Sequence, residues 1–294
     1  MKRLISLIGI LVLAVMIVVA AAYYLRRYQP PVYKFIPRAE KTIKIPEGWT
    51  NQDIADYLAN SGSWSSHDFL SLVGSAQVDY ARPGSLISAS TASSTADLVQ
   101  EFPFLADKPK AAGLEGYLFP DTYRVYASST IPEIVVKILA NFDLKLTPQM
   151  RADIKSQGKT IFDIITMASI IEKEAPINYQ TNDNHDAKII SGIFWRRLKN
   201  GQALQSDATL SYILHDNKAQ HGGSDLLVDS LYNTYRHTGL PAGPIGNPGI
   251  LAIVAAIYPT VSNYNYFLTA PGQGTVIYAQ TYAQHLQNKY KYLP

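Results

Sequence analysis

Glu172, in the stretch TIFDIITMASIIEKEAP, residues 160–176, has the type and placement for acid–base chemistry. Ile161, Phe162, Ile164, Ile165, Ala168 and Ile171 recur near the helical period. At about 100° per residue, Glu172 falls on the face of Ile161, Ile165 and Ala168. Glu174 falls roughly 200° away, beside Asp163, and is expected to point to water. Pro176 ends the helix and pushes the residue before it out of helical geometry. Both carboxylates then sit at the negative end of the helix dipole, a poor place for an anion. Burial and dipole together favour a protonated Glu172, the state a general acid needs near neutral pH. The competing reading is a Glu172 paired with Arg or Lys, joining two helices.

A second set of polar residues lies near turns: Gln205, Ser206, Asp207, Thr209, Asn233, Thr234 and Asn247. Such groups suit a carbohydrate or amide ligand, and serve equally as caps and turn-formers. Tyrosine outnumbers the other aromatics, with 20 against 9 Phe and 3 Trp. Its ring stacks on sugar faces while its hydroxyl bonds, although half-exposed packing accounts for it as well. His215 and His221, with Asp216 and Asp225, match no tight ligand spacing, so no metal is expected. No nucleophile elbow and no phosphate-binding glycine loop are present, and no cofactor is expected. The absence of cysteine excludes disulfides and thiolate chemistry. A net charge of +3 without a concentrated basic face argues against a nucleic-acid partner.

The positioning elements begin with Leu4 to Leu25, an uncharged run long enough to span a bilayer. Lys2 and Arg3 precede it and Arg26 and Arg27 follow, a near balance that the free amino group tips slightly toward a cytoplasmic N-terminus. A cleavable signal ending at Ala20, Ala21 and Ala22 competes with an uncleaved anchor. Residues 28–39 carry three prolines and read as a spacer. A strand over Thr42 to Ile45, a helix capped by Thr50 with Asp53, and a helix capped by Ser65 or Ser66 make a small module. That module must borrow core or a second strand. Ser88 to Thr95 reads as a loop, Asp97 to Phe104 as a short helix, and Leu114 to Tyr126 as a strand and turn. Helices are expected over Ile131 to Phe142, over Ala187 to Lys199 capped by Asp186, and over Ile250 to Ile257. The loop GLPAGPIGNPG, residues 239–249, is too rich in Gly and Pro to be helical. A hairpin around Pro271-Gly272 and a final helix, Tyr282 to Tyr290, close the chain.

Seven motifs in order carry a resemblance: IPEGWT with QDIADYL, LEGYLFPDTY, ASIIEKEA, GIFWRRL, LQSDATLSY, YNTY and GLPAGPIGNPG. Together they resemble the membrane-bound endolytic murein transglycosylases, the MltG or YceG-like family. The resemblance implies an α+β chain with a single transmembrane helix (1–28), a linker (29–40), a reduced LysM-like module and connecting segment (41–112), and a catalytic domain (113–294). It implies a single-pass protein of the cytoplasmic membrane whose C-terminal domain lies on the outer side. The implied substrate is the glycan strand of peptidoglycan, with cell-wall synthesis enzymes such as penicillin-binding proteins as partners. The first glutamate of the EKE pair, Glu172, is the implied catalytic residue. It would protonate the bond between N-acetylmuramic acid and N-acetylglucosamine, then deprotonate the C6 hydroxyl and leave a 1,6-anhydro end. Glu115, Gln205, Ser206, Asp207, Thr209, Tyr232, Asn233 and Asn247 are the expected cleft residues. Asp207 either stabilises a cationic transition state or caps a helix. Two departures stand out: a short region between anchor and IPEG motif, and Val276 where family members often have His, which would alter affinity or product range. A hydrolase of the same substrate and a non-catalytic wall-binding scaffold are the rival readings.

Overall fold

The computed structural model describes residues 2–28, 38–74, 98–216, 218, 220–270 and 274–293. It divides into two compact units, 1–39 and 40–294. The first holds α1 (Lys2–Arg27), whose segment Ile5–Arg27 is long and apolar enough to cross a membrane. The spacer's middle, the Ser88 to Thr95 loop and the hairpin tip Pro271-Gly272 lie outside the described residues.

The second unit is mixed α+β. Strand β1 (Glu40–Ile45) turns Ile43 and Ile45 inward. Helix α2 (Asn51–Asn60) starts with a reciprocal capping box between Thr50 and Asp53, and Ser65 caps α3 (Ser66–Val73). The missing second strand comes from β2 (Asp121–Tyr126), which pairs antiparallel with β1, Glu40 opposite Tyr126 and Ile45 opposite Asp121. The strand–helix–helix segment therefore shares its sheet with chain beyond residue 112, inside one compact unit. Residues 98–101 are helical and are followed by a 3₁₀ turn, Pro103–Leu105.

Helix α4 (Ile131–Lys145) is capped by Thr130 and Glu133. Helix α5 (Pro148–Ser156) escapes a periodicity reading because only Ile154 of its residues is buried. Helix α6 (Ile161–Glu174) begins with a Thr160–Asp163 capping box. Helix α7 (His185–Lys199) is preceded by Asn184 at the cap position, not by the expected Asp186. The bridge between Asn178 and Asp183 sets the turn early, and the Asp183 carboxylate accepts the His185 N–H. Helix α8 (Asp207–Leu214), helix α9 (Ile250–Ile257), the hairpin β3 (Tyr266–Thr269) with β4 (Val276–Ala279), and α10 (Tyr282–Tyr292) complete the unit.

Helix α6 is the axis. It packs against α5, α7, α8, α9 and the 3₁₀ turn. Every residue from Ile164 to Ile171 is buried, so the helix has no wet face along its middle. The expectation of an apolar stripe with a solvent side is corrected here. Each of its buried isoleucines contributes about 1.5–3 kcal/mol over the exposed state.

Helix α7 approaches the chain after α9 at Gly192. A Cβ there would lie 2.1 Å from the Thr260 carbonyl oxygen. Alanine normally favours a helix over glycine by roughly 1 kcal/mol. Gly192→Ala is instead expected to destabilise by about 1–3 kcal/mol through overpacking, read as a lower thermal midpoint of the full chain in detergent.

Candidate active site

The C-terminal turn of α6 places its two glutamates in different surroundings. Glu174 reaches the N-terminus of α8. Its Oε1 accepts from the Ser206 hydroxyl and from the Ala208 N–H at 3.5 Å. Burial raises its pKa, while the Ser206 and Ala208 donors pull the other way. Both donors sit on Oε1, so a proton on neutral Glu174 belongs on Oε2, for which no described residue supplies a donor. Glu174 lines two cavities at once. One, about 460 Å³, also holds Thr50, Gln52, Asp207, Tyr212 and Asp216. The other, about 880 Å³, holds Arg197, Gln205, Tyr235, Tyr266 and His285. A third of about 470 Å³ shares Arg197, Gln205 and Tyr266 with the second. The three follow one another as a groove, and Glu174 stands at the first junction with Asp207 and Lys173.

The expectation that Glu174 faces water is thereby corrected. The helical wheel assumes solvent opposite the apolar stripe, and here α8 occupies that side.

Glu172 lines neither of the two cavities that meet at Glu174. Its Oε2 accepts from the Tyr179 hydroxyl at 2.5 Å and from the Gly249 N–H at 3.0 Å. Gly249 caps α9, so Glu172 ties the end of one central helix to the start of another. The approach is close: a Cβ on residue 249 would lie 2.3 Å from the Tyr179 hydroxyl. Burial also raises the pKa of Glu172, against the pull of Tyr179 and Gly249, and raises that of Tyr179.

The remaining expected cleft residues separate. Gln205 lines the second and third cavities and adopts a left-handed backbone, φ 52°, held by its N–H on the Thr234 carbonyl at 3.1 Å. Ser206 is spent on Glu174. Asp207 lines both main cavities. It is the first residue of α8 rather than its cap, and its Oδ1 accepts from the Tyr235 hydroxyl at 2.9 Å and the His221 N–H at 3.3 Å. Five others are buried inside the framework instead of facing the groove. Thr209 bonds the Ser206 carbonyl and the Thr234 hydroxyl. Tyr232 packs on Tyr212 with ring centroids 5.1 Å apart. Asn233 donates to the Leu226 and Val228 carbonyls.

Glu115 and Asn247 belong to one buried knot. Asn247 donates to the Trp49 carbonyl at 2.9 Å and accepts the Leu118 N–H at 2.8 Å. Glu115 accepts the Asn51 N–H at 3.0 Å. Three motifs distant in sequence are fastened there. The expected ligand role of both residues is replaced by this one because short polar side chains in Gly/Pro loops satisfy buried backbone groups.

Sequence reasoning did not place Glu174 on a cavity, nor Arg197, Tyr235, His285 and Lys289 with it. Arg197 and Tyr235 lie within quoted motifs, while His285 and Lys289 carried no sequence signal. Val276 is buried in β4, opposite the cavity-lining Thr269. Ser211, His221 and Asp225 are connected in the order of a nucleophilic triad, with Oγ to Nε2 at 2.9 Å and Nδ1 to Oδ2 at 3.2 Å. Asp216 also faces Nε2 at 3.4 Å, and Lys218 bridges both aspartates. A ring with carboxylates on both nitrogens is an ion-network member, not a general base. Among the described residues no group of three His, Cys, Asp or Glu is arranged to hold a metal.

A sequence model of the YceG-like family matches residues 22–291. The chain belongs to the YceG-like family. This YceG-like chain is 33% identical over 253 residues to the endolytic murein transglycosylase of Streptococcus pneumoniae serotype 2 strain D39, covering 84% of this chain and 44% of that protein. It is 36% identical over 180 residues to the one from Bacillus subtilis strain 168, covering 61% and 48%. The match thus spans less than half the length of these curated relatives. A crystal structure of a yceG-like protein from Listeria monocytogenes is similar with a TM-score of 0.68 at 31% identity, over 85% of this chain and 76% of that one.

Burial lifts the Glu115 pKa from 4.5 to about 8. The folded state then holds a proton that the unfolded state has lost, so this group's stabilisation declines as pH rises from 4.5 to about 8. Glu115→Gln is expected to flatten the fall in thermal midpoint across that window, measured by unfolding at a series of pH values.

Proposed function

We propose that this chain is a peptidoglycan lytic transglycosylase that cuts within glycan strands, with Glu174 rather than Glu172 as its acid and base. The observation that carries the reading is the position of Glu174 where two cavities meet. A groove that continues on both sides of an acid accepts an internal bond, with sugars in either arm. The names of the relatives from Streptococcus pneumoniae and Bacillus subtilis support the substrate class.

In this mechanism Oε2 of Glu174 gives its proton to the glycosidic oxygen between N-acetylmuramic acid and N-acetylglucosamine, and the bond to C1 breaks. The carboxylate left behind is stabilised by Ser206 and the Ala208 N–H. It then takes the C6 hydroxyl proton of muramic acid while O6 bonds to C1, closing the 1,6-anhydro ring. One carboxyl serves both steps. Gln205 and Asp207 line the groove beside it and are proposed to hold the sugars. Asp207 also favours a second reading: as a base on a water molecule it would make the chain a hydrolase. We further propose that α1 anchors the chain in the cytoplasmic membrane with residues 40–294 outside. Residues 41–112 would serve as a reduced LysM-like module, and cell-wall synthesis enzymes such as penicillin-binding proteins as partners.

Glu174→Gln is expected to lower strand cleavage by roughly 10²–10⁴-fold, while Glu172→Gln keeps turnover and lowers the thermal midpoint. Loss of cleavage in Glu172→Gln with full activity in Glu174→Gln would reverse the assignment. Mass spectrometry of the product ends separates the reactions, since anhydro ends are one water lighter than hydrolysed ends.

A further inference from the structure

The two arms of the groove differ in chemistry. On the arm of about 460 Å³, Asp53 closes the α2 capping box and Asp216 pairs with Lys218 at 3.2 Å, while Lys173 is shared with the other arm. The hairpin arm, about 880 Å³, carries an aromatic wall. The Tyr266 ring stacks on His285 at 5.3 Å and 22°, and Tyr282 lies 5.8 Å from Tyr266. Arg197 and Lys289 line the same cavity.

Lys289 and His285 pair with no carboxylate among the described residues, while Arg197 lies within electrostatic reach of Glu174. Lys289 Nζ makes no hydrogen bond or ion pair among the described residues. The Nδ1 of His285 is buried without a hydrogen-bond partner. Arg197 is held in place by the Leu204 carbonyl and by the Asn265 carbonyl at 3.0 Å. Burial, then Lys289 and Arg197, lower the His285 pKa, which shows that the three gather within electrostatic reach. The carboxylates of this cavity, Glu174 and Asp207, lie on the side it shares with the first arm.

We infer that the hairpin arm is a carboxylate subsite, which reads the acidic stem peptide carried by muramic acid while the aromatic wall receives the adjoining sugar face. The inference rests on the function proposed above and names its substrate more closely: strands whose stem carboxylates are free. A flat aromatic surface beside a fixed guanidinium and a free ammonium matches a sugar with a carboxylate at its edge. The groove therefore has a direction, with the stem peptide beside α10.

The test uses the full chain in detergent and two strand preparations, one with free stem carboxylates and one with those carboxylates amidated. Wild type is expected to cleave amidated strands with about tenfold lower kcat/KM, the loss falling on KM. Lys289→Gln, a change at an exposed position, is expected to cleave both preparations alike at the lower value, and His285→Gln to narrow the gap. Equal cleavage of both preparations by wild type, or a gap that persists in Lys289→Gln, overturns the subsite. Strand binding by Glu174→Gln is measured alongside. If wild type cleaves neither preparation, the proposed reaction fails, and tighter binding of the free-carboxylate strands by Glu174→Gln still reads this subsite alone. Equal binding then overturns it too.

Discussion

The enclosure of α6 is the constraint on which the rest depends. A helix whose middle is buried all round needs neighbours on every side, and α5, α7, α8 and α9 supply them. Its last turn then emerges among other helices rather than into bulk water. Any carboxylate on that turn must find donors or hold its proton. Glu172 and Glu174 both do so, in opposite directions, and both have raised pKa values from burial.

What distinguishes the pair is that Glu174, and not Glu172, lines the two cavities that meet at the α8 N-terminus. Glu172 spends Oε2 on Tyr179 and on the N-terminus of α9, in a corner where the backbone at Gly48 and Gly249 comes close. Glu174 spends one oxygen on the α8 N-terminus at the junction of two cavities. Similar donors thus serve a joint between two helices in one case and a residue at a cavity junction in the other. Burial raises the Glu174 pKa while the Ser206 hydroxyl and the α8 N-terminus pull against it.

The groove in turn depends on the buried knot around Glu115 and Asn247. It draws the turn at Trp49, the segment at Leu118 and the Gly/Pro loop to one point. Thr234 does the same for Gln205, Ser206 and Thr209. Polar side chains rigidify these loops where no helix or sheet ladder is available to satisfy the backbone. The walls of the groove are therefore set by residues that do not line it.

Local rules were legible in the chain itself. Capping residues Thr50 and Ser65, the helix breaker Pro176, the hairpin pattern of Tyr266 to Tyr278 and the apolar run near the N-terminus all depend on neighbours a few residues away. The motifs also sufficed to mark the YceG-like family. Other features needed distant partners. The β1–β2 pairing joins segments some 80 residues apart, and α5 has no stripe to announce it. Sequence periodicity assigns a side chain to an apolar or a polar face, and it takes the polar face to be wet. Only the packed chain decides whether that face meets water or another helix, which is why the EKE pair could be found from sequence while the burial of Glu174 against α8 could not.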